Sequence, residues 1–359
     1  MTTQADTTKI IDEAKLQAFL GQVVTDTAAA WSAPLVLVGD RLGLYQAMAS
    51  NGPVTSQELA SRTGLHERYV REWLLNQTAS GYVEYDPARE RYSLPPEYAM
   101  ALTDTTSPAY VGGLFYIVEA GLKAQGRIAQ AFRTGDGLDW GEQAPELYPA
   151  VERLFRPGYG ANLVQSWIPA LDGVQERLQA GVTVADVGCG YGASTMLMAQ
   201  AFPNSHFFGF DSHAPSIEAA RCEASKAGVS DRITFEVASA QDFPGTDYAL
   251  VAFFDCLHDM GDPIGAIAHT AQAISSGGTV LLVEPMAAET IEGSVNPVAR
   301  LYSAGSVYLC TPNAMATGDI ALGNQVPEQK LREIVLSGGL SQFRRATETP
   351  FNRIFEARK

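Results

Sequence analysis

The amino-acid sequence predicts an α/β fold in two parts: an all-helical, winged N-terminal domain, then a sheet of five parallel strands that ends in a C-terminal hairpin. Three observations carry this prediction. The chain has 359 residues and is 46% hydrophobic, enough for a sizeable core and for two domains or one large one. Residues 54–96 give a helix, a glycine turn, a second helix and two short strands. After Gly181, five runs rich in β-branched and aromatic residues alternate with helical segments, the rhythm of a parallel sheet covered on both faces.

The opening MTTQADTTKI is polar and lacks a basic head followed by an apolar core, so no signal peptide is expected. From Ile10 to about Ala49, Leu16, Phe19, Leu20 and Val23, then Leu35, Leu37, Val38, Leu42 and Leu44, recur at helical spacing. These clusters are richer in alanine and leucine than a lone surface helix needs. Packing against a second subunit, as a homodimer, is expected.

VTSQELASRTGLHERYVREWLLNQTASGYVEYDPARERYSLPP follows, with a capped short helix, a second helix, and two strands joined by DPARE. That order is a winged helix-turn-helix, which serves either to read DNA or as a structural and dimerisation module. The would-be recognition helix carries Arg68 and Arg71 but also Glu67 and Glu72, and residues 1–100 hold 8 basic against 12 acidic side chains. Its Tyr69, Val70, Trp73 and Leu74 make a broad apolar face, expected to be covered on more than one side. A groove-reading helix needs a basic footprint, so the structural role is expected.

Over the whole chain 25 basic residues face 40 acidic ones, and a net charge of −15 opposes the counterion release that drives nucleic-acid binding. No nucleic-acid partner is expected. The longest apolar stretches, WSAPLVLVG and YALVAFFDCL, fall short of the ~20 residues a membrane helix needs. The expectation is a cytoplasmic protein without a membrane partner. Cys189, Cys222, Cys256 and Cys310 show no paired spacing, which predicts free thiols, with Cys189 and Cys256 as small inert side chains beside a site.

Between Tyr98 and Ala180 the pattern is mostly helical, broken by RTGDGLDWGEQAPELYP, a lid or a connection. The expected domains are 1–100, a helical connector or lid at 101–180, and a catalytic domain at 181–359. Strands follow at VTVADVG, SHFFGFD, ITFEVA, YALVAFFD and GTVLLVEP, and the tail SQFRRATETPFNRIFEARK predicts a hairpin turning at Thr349 and Pro350, at or near an edge.

VADVGCGYGAS places Asp186, Gly188, Gly190 and Gly192 where the first strand of this series gives way to a helix, so that backbone can turn sharply and approach a ligand. Gly188, Gly190 and Ala193 also satisfy a dinucleotide pattern. Asp211, ending FFGFD, can bind ribose hydroxyls in either case. Asp186 two places before the first glycine, the additional Gly192, and the exit ASAQDF, where backbone and Asp242 could meet an adenine edge, separate the two.

On these residues, 181–285 resemble a class I S-adenosylmethionine-dependent methyltransferase, with its Rossmann-like sheet. The whole chain resembles the small-molecule O-methyltransferases and, more closely, bacterial methyltransferases with a winged-helix N-terminal domain. The resemblance implies S-adenosyl-L-methionine as cofactor, with Asp186, Gly188, Cys189 and Gly190 around its methionine part. It implies Asp211 on the ribose, Ser212 and His213 near the nucleoside, and Ala240 with Gln241 beside the adenine. Many relatives carry an acid where Ser239 stands, which leaves adenine recognition to backbone groups or Asp242.

In the O-methyltransferases a His-Asp pair follows the fourth strand, and LHDMGDP resembles it, implying His258 as general base with Asp259 beside it. A hydroxyl must lose its proton as it attacks a sulfonium methyl, and imidazole titrates near working pH. Glu284, ending LLVEP, could hold one imidazole nitrogen so that the other faces the acceptor. The same resemblance puts a second acid where Gln325 stands. The alternative for His258 is to cap the helix beginning near Asp262 and Pro263; a metal set of His258, Asp259 and Glu284 ranks third, and no metal is expected.

Asp255, at the strand exit, is expected to face the cofactor. Arg156 and Tyr159 could reach its carboxylate or pack between domains. Phe115, Tyr116, Trp140, Tyr302 and Tyr308 are available to line an acceptor pocket, although aromatic residues in helices more often serve as plain core. The function expected is methyl transfer to a small aromatic or heteroaromatic acceptor, oxygen favoured over nitrogen. Its rivals are a transcriptional regulator holding the cofactor as a ligand and a cofactor-binding enzyme of non-methylating chemistry.

Overall fold

The computed structural model describes residues 11–359; MTTQADTTKI, with the start of the helical pattern at Ile10 and the reading of its leader character, lies outside the described residues. The chain divides into two compact units, one ending at Asp104 and one running from Thr105 to Lys359.

In the first unit, helix α1 (Glu13–Arg41) begins where the Asp12 carboxylate accepts the Lys15 N–H at 3.0 Å, satisfying one of the free donors of a helix start. Leu16, Phe19, Leu20, Val23 and Trp31 on it are exposed. Helix α2 (Leu44–Asn51) follows. Helix α3 (Ser56–Thr63) opens with a reciprocal capping box between Thr55 and Glu58, and α4 (Glu67–Ala79) comes next. Strands β1 (Glu84–Asp86) and β2 (Arg91–Ser93) pair antiparallel as the wing, before α5 (Pro96–Leu102).

Helix α4 buries Val70, Trp73, Leu74 and Gln77. The Trp73 indole donates to the Leu35 carbonyl of α1 at 2.8 Å. Tyr69 departs from the expected apolar face: it is 80% exposed, because it stands at the rim of a stripe centred on Val70 and Gln77. The charged side closes on itself, Arg71 on Glu67 at 2.9 Å and Arg68 on Glu72.

The second unit opens with α6 (Gly113–Lys123), α7 (Gln125–Thr134), α8 (Leu147–Asn162) and α9 (Val174–Ala180). Then β3 (Thr183–Val187), α10 (Ala193–Ala201), β4 (His206–Asp211), α11 (Ala214–Ala227), β5 (Ile233–Val237), β6 (Tyr248–Phe254), α12 (Pro263–Ala273) and β7 (Ile274–Pro285) follow, and the expected alternation breaks once, where a loop in place of a helix joins β5 to β6. Helices α13 (Pro297–Gly305), α14 (Thr311–Thr317) and α15 (Glu328–Ser337) precede β8 (Gln342–Glu348) and β9 (Asn352–Arg358).

The sheet order is β5-β4-β3-β6-β7-β9-β8. The first five strands are parallel, β9 runs antiparallel to β7, and β8 is the edge. Both faces carry apolar cores, one including Trp167 and Phe207, the other Phe253 and Phe343, which is why β6 and β7 are nearly continuous in apolar residues. The chain winds outward from β3 through β4 to β5 and then returns to the other side of β3 as β6. That reversal opens a crevice at the carboxyl ends of β3 and β6.

The segment between α7 and α8 belongs to this unit. Leu138 N–H donates to the Pro312 carbonyl at 2.9 Å, and Trp140–Glu142 form a tight turn capped by Asp139. Among the described residues, no helix is long and apolar enough to cross a membrane.

Candidate active site

The crevice is built first from backbone. Gly188 and Gly190 have φ of +74° and +53°, a conformation that favours glycine. A Cβ at Gly188 would lie 2.7 Å from the Cys256 sulfur, whereas one at Gly190 would meet nothing within 4 Å and would project into the cavity it lines. The Gly188 and Cys189 N–H groups both donate to the Phe210 carbonyl, locking the loop to β4.

Two carboxylates hold this loop. Asp211 accepts the Gly190 N–H at 2.8 Å on one oxygen and the His213 N–H at 2.9 Å on the other. Asp186, fully buried, accepts the Ser194 and Thr195 hydroxyls at 2.6 Å on a single oxygen, while its other oxygen has no partner. Burial pushes Asp186 up to about 6, against those two hydroxyl bonds, and burial also raises Asp211.

Ser212, His213, Ala240 and Gln241 line one lobe of the crevice, of about 590 Å³. Gly188, Cys189, Gly190, Tyr159 and Asp255 line a second. The Tyr148 ring stacks on His213 at 4.2 Å between centroids. Asp242 spends one carboxylate oxygen on the Ser239 N–H and hydroxyl within its own loop. Tyr159 lines the second lobe, but its hydroxyl donates to Asp255 at 2.9 Å, and Asn352 donates to the other Asp255 oxygen at 2.9 Å. Asp255 sits at a left-handed φ of +50°, and burial drives it up to about 7. Arg156 instead pairs with Glu152 one helical turn before it.

His258 and Glu284 come together from the ends of β6 and β7. Imidazole Nδ1 lies 2.6 Å from Glu284 Oε2, both side chains buried. Glu284 stands across the sheet from Arg353, fully buried, whose guanidinium donates to the Pro285 and Val326 carbonyls at 2.9 Å. Burial works against a charged imidazole, but the Glu284 carboxylate, together with the Cys310 thiol at the ring, outweighs it and holds His258 well above its ordinary range.

The capping alternative fails on geometry: Asp262 itself caps α12, accepting the Gly265 N–H at 2.8 Å. Gln325 spends its amide on the Met286 and Asn324 carbonyls. Among the described residues, no group of three or more His, Cys, Asp or Glu is arranged to hold a metal ion.

His258, Asp255 and Asp259 line a third, largely apolar cavity of about 360 Å³, with Leu114, Leu154 and Phe155 among its walls. Trp140, Tyr302 and Tyr308 line it too. Phe115 and Tyr116 do not, since α6 presents Leu114, Ile117 and Val118; the Tyr116 ring lies under Arg153, 4.8 Å from centroid to guanidinium. Sequence reasoning missed Asn352, Cys310 and Asn313. The first is a cross-sheet neighbour of β7, and the other two come from a helical stretch without a motif.

Both parts of the chain match known protein families. Residues 30–104 match the model of the Rv2258c-like winged HTH domain, and residues 178–333 match a methyltransferase domain. The chain thus carries a methyltransferase domain preceded by a winged-helix domain. A 107-residue segment is 34% identical to the 27-O-demethylrifamycin SV methyltransferase of Amycolatopsis mediterranei, covering 29% of this chain and 39% of that protein's length.

Two solved structures share the fold over nearly the whole length. The mitomycin 7-O-methyltransferase has a TM-score of 0.72 at 18% identity, over 96% of this chain and all of that one. Human N-acetylserotonin methyltransferase, solved with S-adenosylmethionine, has a TM-score of 0.69 at 18% identity, covering 98% and 99% of the two chains. The residues present fit that cofactor through an open cradle at Gly190 and a carboxylate at the β4 exit, whereas Asp186 is fully buried, lines neither lobe and instead holds the start of α10 through Ser194 and Thr195.

Proposed function

We propose that the protein transfers the methyl group of S-adenosyl-L-methionine to a hydroxyl of a small aromatic or heteroaromatic acceptor, with His258 as the general base. The observation that carries this reading is the buried His258–Glu284 pair at 2.6 Å, on the wall of an apolar cavity adjoining the glycine-loop crevice. The cavity's 360 Å³ falls within the ~300–1,000 Å³ typical of small-molecule sites.

When bound, the cofactor supplies an electrophilic methyl on a sulfonium centre. Gly188, Cys189 and Gly190 would surround its amino-acid part. Asp211 would take the ribose hydroxyls, with Ser212 and His213 near the nucleoside and Ala240 and Gln241 beside the adenine. Glu284 fixes Nδ1 of His258 as the protonated nitrogen, which leaves Nε2 to receive the acceptor's proton. Asp259, on the same turn, borders both the crevice and the acceptor cavity. The apolar walls exclude water and select a flat, weakly polar acceptor over a sugar or a peptide.

The exposed Leu16, Phe19, Leu20, Val23 and Trp31 of α1 support a homodimer formed through the first unit. Light scattering that returned a monomer at micromolar concentration would remove that part of the reading. The main test is release of S-adenosylhomocysteine across a library of phenols, hydroxyquinones and heteroaromatic alcohols. Turnover with at least one class is expected. Cofactor that binds but is never demethylated across the library would sink the reading.

A further inference from the structure

Among the described residues, only Trp140 and Asp259 line all three cavities: the proposed nucleoside lobe, the proposed methionine lobe and the apolar acceptor cavity. The sulfur of S-adenosylmethionine is bonded to the adenosyl group, the methionine chain and the methyl to be transferred. If the proposed occupancy holds, the sulfonium belongs where the three cavities meet. An aromatic face and a carboxylate are the two side-chain groups that favour a compact organic cation.

The junction is built rather than accidental. The Trp140 N–H donates to Asn313 Oδ1 at 2.9 Å, and Asn313 Nδ2 donates to the Asp259 carbonyl at 2.9 Å, so one carboxamide latches the two residues together. The Trp140 carbonyl accepts the Tyr148 hydroxyl at 2.8 Å, and the two rings meet edge to face at 5.8 Å. Tyr148 in turn stacks on His213, within the nucleoside lobe. Asp139 caps the turn that carries Trp140. The Trp140 backbone is therefore held at both its N–H and its carbonyl, and its ring is met by Tyr148.

We propose that Trp140 and Asp259, latched by Asn313, form a recognition site for the sulfonium cation, biasing the cleft toward the charged methyl donor relative to its neutral co-product. This rests on the methyltransferase reading and adds to it a residue from the segment between α7 and α8 and a positioning residue from α14. S-adenosylmethionine and S-adenosylhomocysteine differ at this point by the methyl and the positive charge. Contacts elsewhere in the crevice act on both alike, whereas a cation–π contact and a carboxylate act on the first alone.

The test is calorimetric binding of S-adenosylmethionine and of S-adenosylhomocysteine to the full chain, without acceptor, for wild type, Trp140→Leu, Trp140→Phe and Asn313→Ala. In Trp140→Leu the affinity for the methyl donor should fall roughly two-fold to thirty-fold more than that for the co-product. Trp140→Phe, which keeps a ring, should recover part of the bias and carries the test if the leucine variant does not fold. Asn313→Ala should lose part of the bias while its thermal unfolding stays cooperative. Equal losses for the two ligands, or none, would mean that Trp140 only packs, and the proposal would be overturned while the methyltransferase reading stood. A wild-type chain that bound neither ligand would overturn both.

Discussion

Two acid–base pairs in this chain use similar chemistry in opposite surroundings. On α4, Arg71 and Glu67 meet at 2.9 Å with side chains 52% and 27% exposed; at the ends of β6 and β7, His258 and Glu284 meet at 2.6 Å with 4% and 0% exposed. Water screens the first pair and releases it at little cost, so it contributes solubility and little stability. The second has been taken out of water, which is costly unless the partners satisfy one another, and it is held beside a cavity that a small molecule can enter. A helix that spends its cations on its own anions is not prepared to meet phosphates. A histidine held against a buried carboxylate is prepared to take a proton.

The contrast can be broken most severely by His258→Ala. If His258 is the base, turnover on a neutral hydroxyl acceptor should fall about 10²- to 10⁴-fold at unchanged cofactor affinity. A variant that kept full rate at pH 7 would leave positioning alone as the source of catalysis.

The pH profile sharpens it next. Glu284 holds His258 above its ordinary range, and only the neutral imidazole accepts a proton. Turnover should therefore rise with pH and level off above His258's raised value, with its midpoint above the ~6.5 of free imidazole. Glu284→Gln removes the opposing charge, so the midpoint should move to lower pH and the plateau should drop. A midpoint that did not move would uncouple the pair. Arg71→Ala on α4 marks the small end, with an unfolding midpoint expected to stay nearly unchanged by denaturant titration. A clear fall would show that the helix carries a buried role its exposure does not reveal.

Much of the site could be read from local sequence because its chemistry is local. Gly188, Gly190 and Asp211 lie at strand exits, where alternating runs and glycine punctuation give the position away, and His258 follows β6 directly. Glu284 needed one further step, the adjacency of β6 and β7. What stayed hidden is long-range: Asn313 reaches Trp140 across 173 positions, and Asn352 reaches Asp255 across 97, with no periodic signal to join them. Helical spacing located the apolar stripe on α4 but not its rim, so Tyr69 was placed too far inside. On α6 the same ambiguity left Phe115 and Tyr116 open between pocket and core, and it is Leu114 and Ile117 that line the cavity. The Arg156–Glu152 pair, four residues apart, was within reach of simple helix rules and went unused.

Strand β9 brings Asn352 to Asp255 and sets Arg353 across from Glu284. These residues leave the ribosome long after the glycine loop, so a nascent chain can present the nucleoside half of its crevice before the proton-accepting half has all its supports. Translation thus delivers the two halves of the crevice in sequence, and the last strand to arrive is the one that lies beside Glu284.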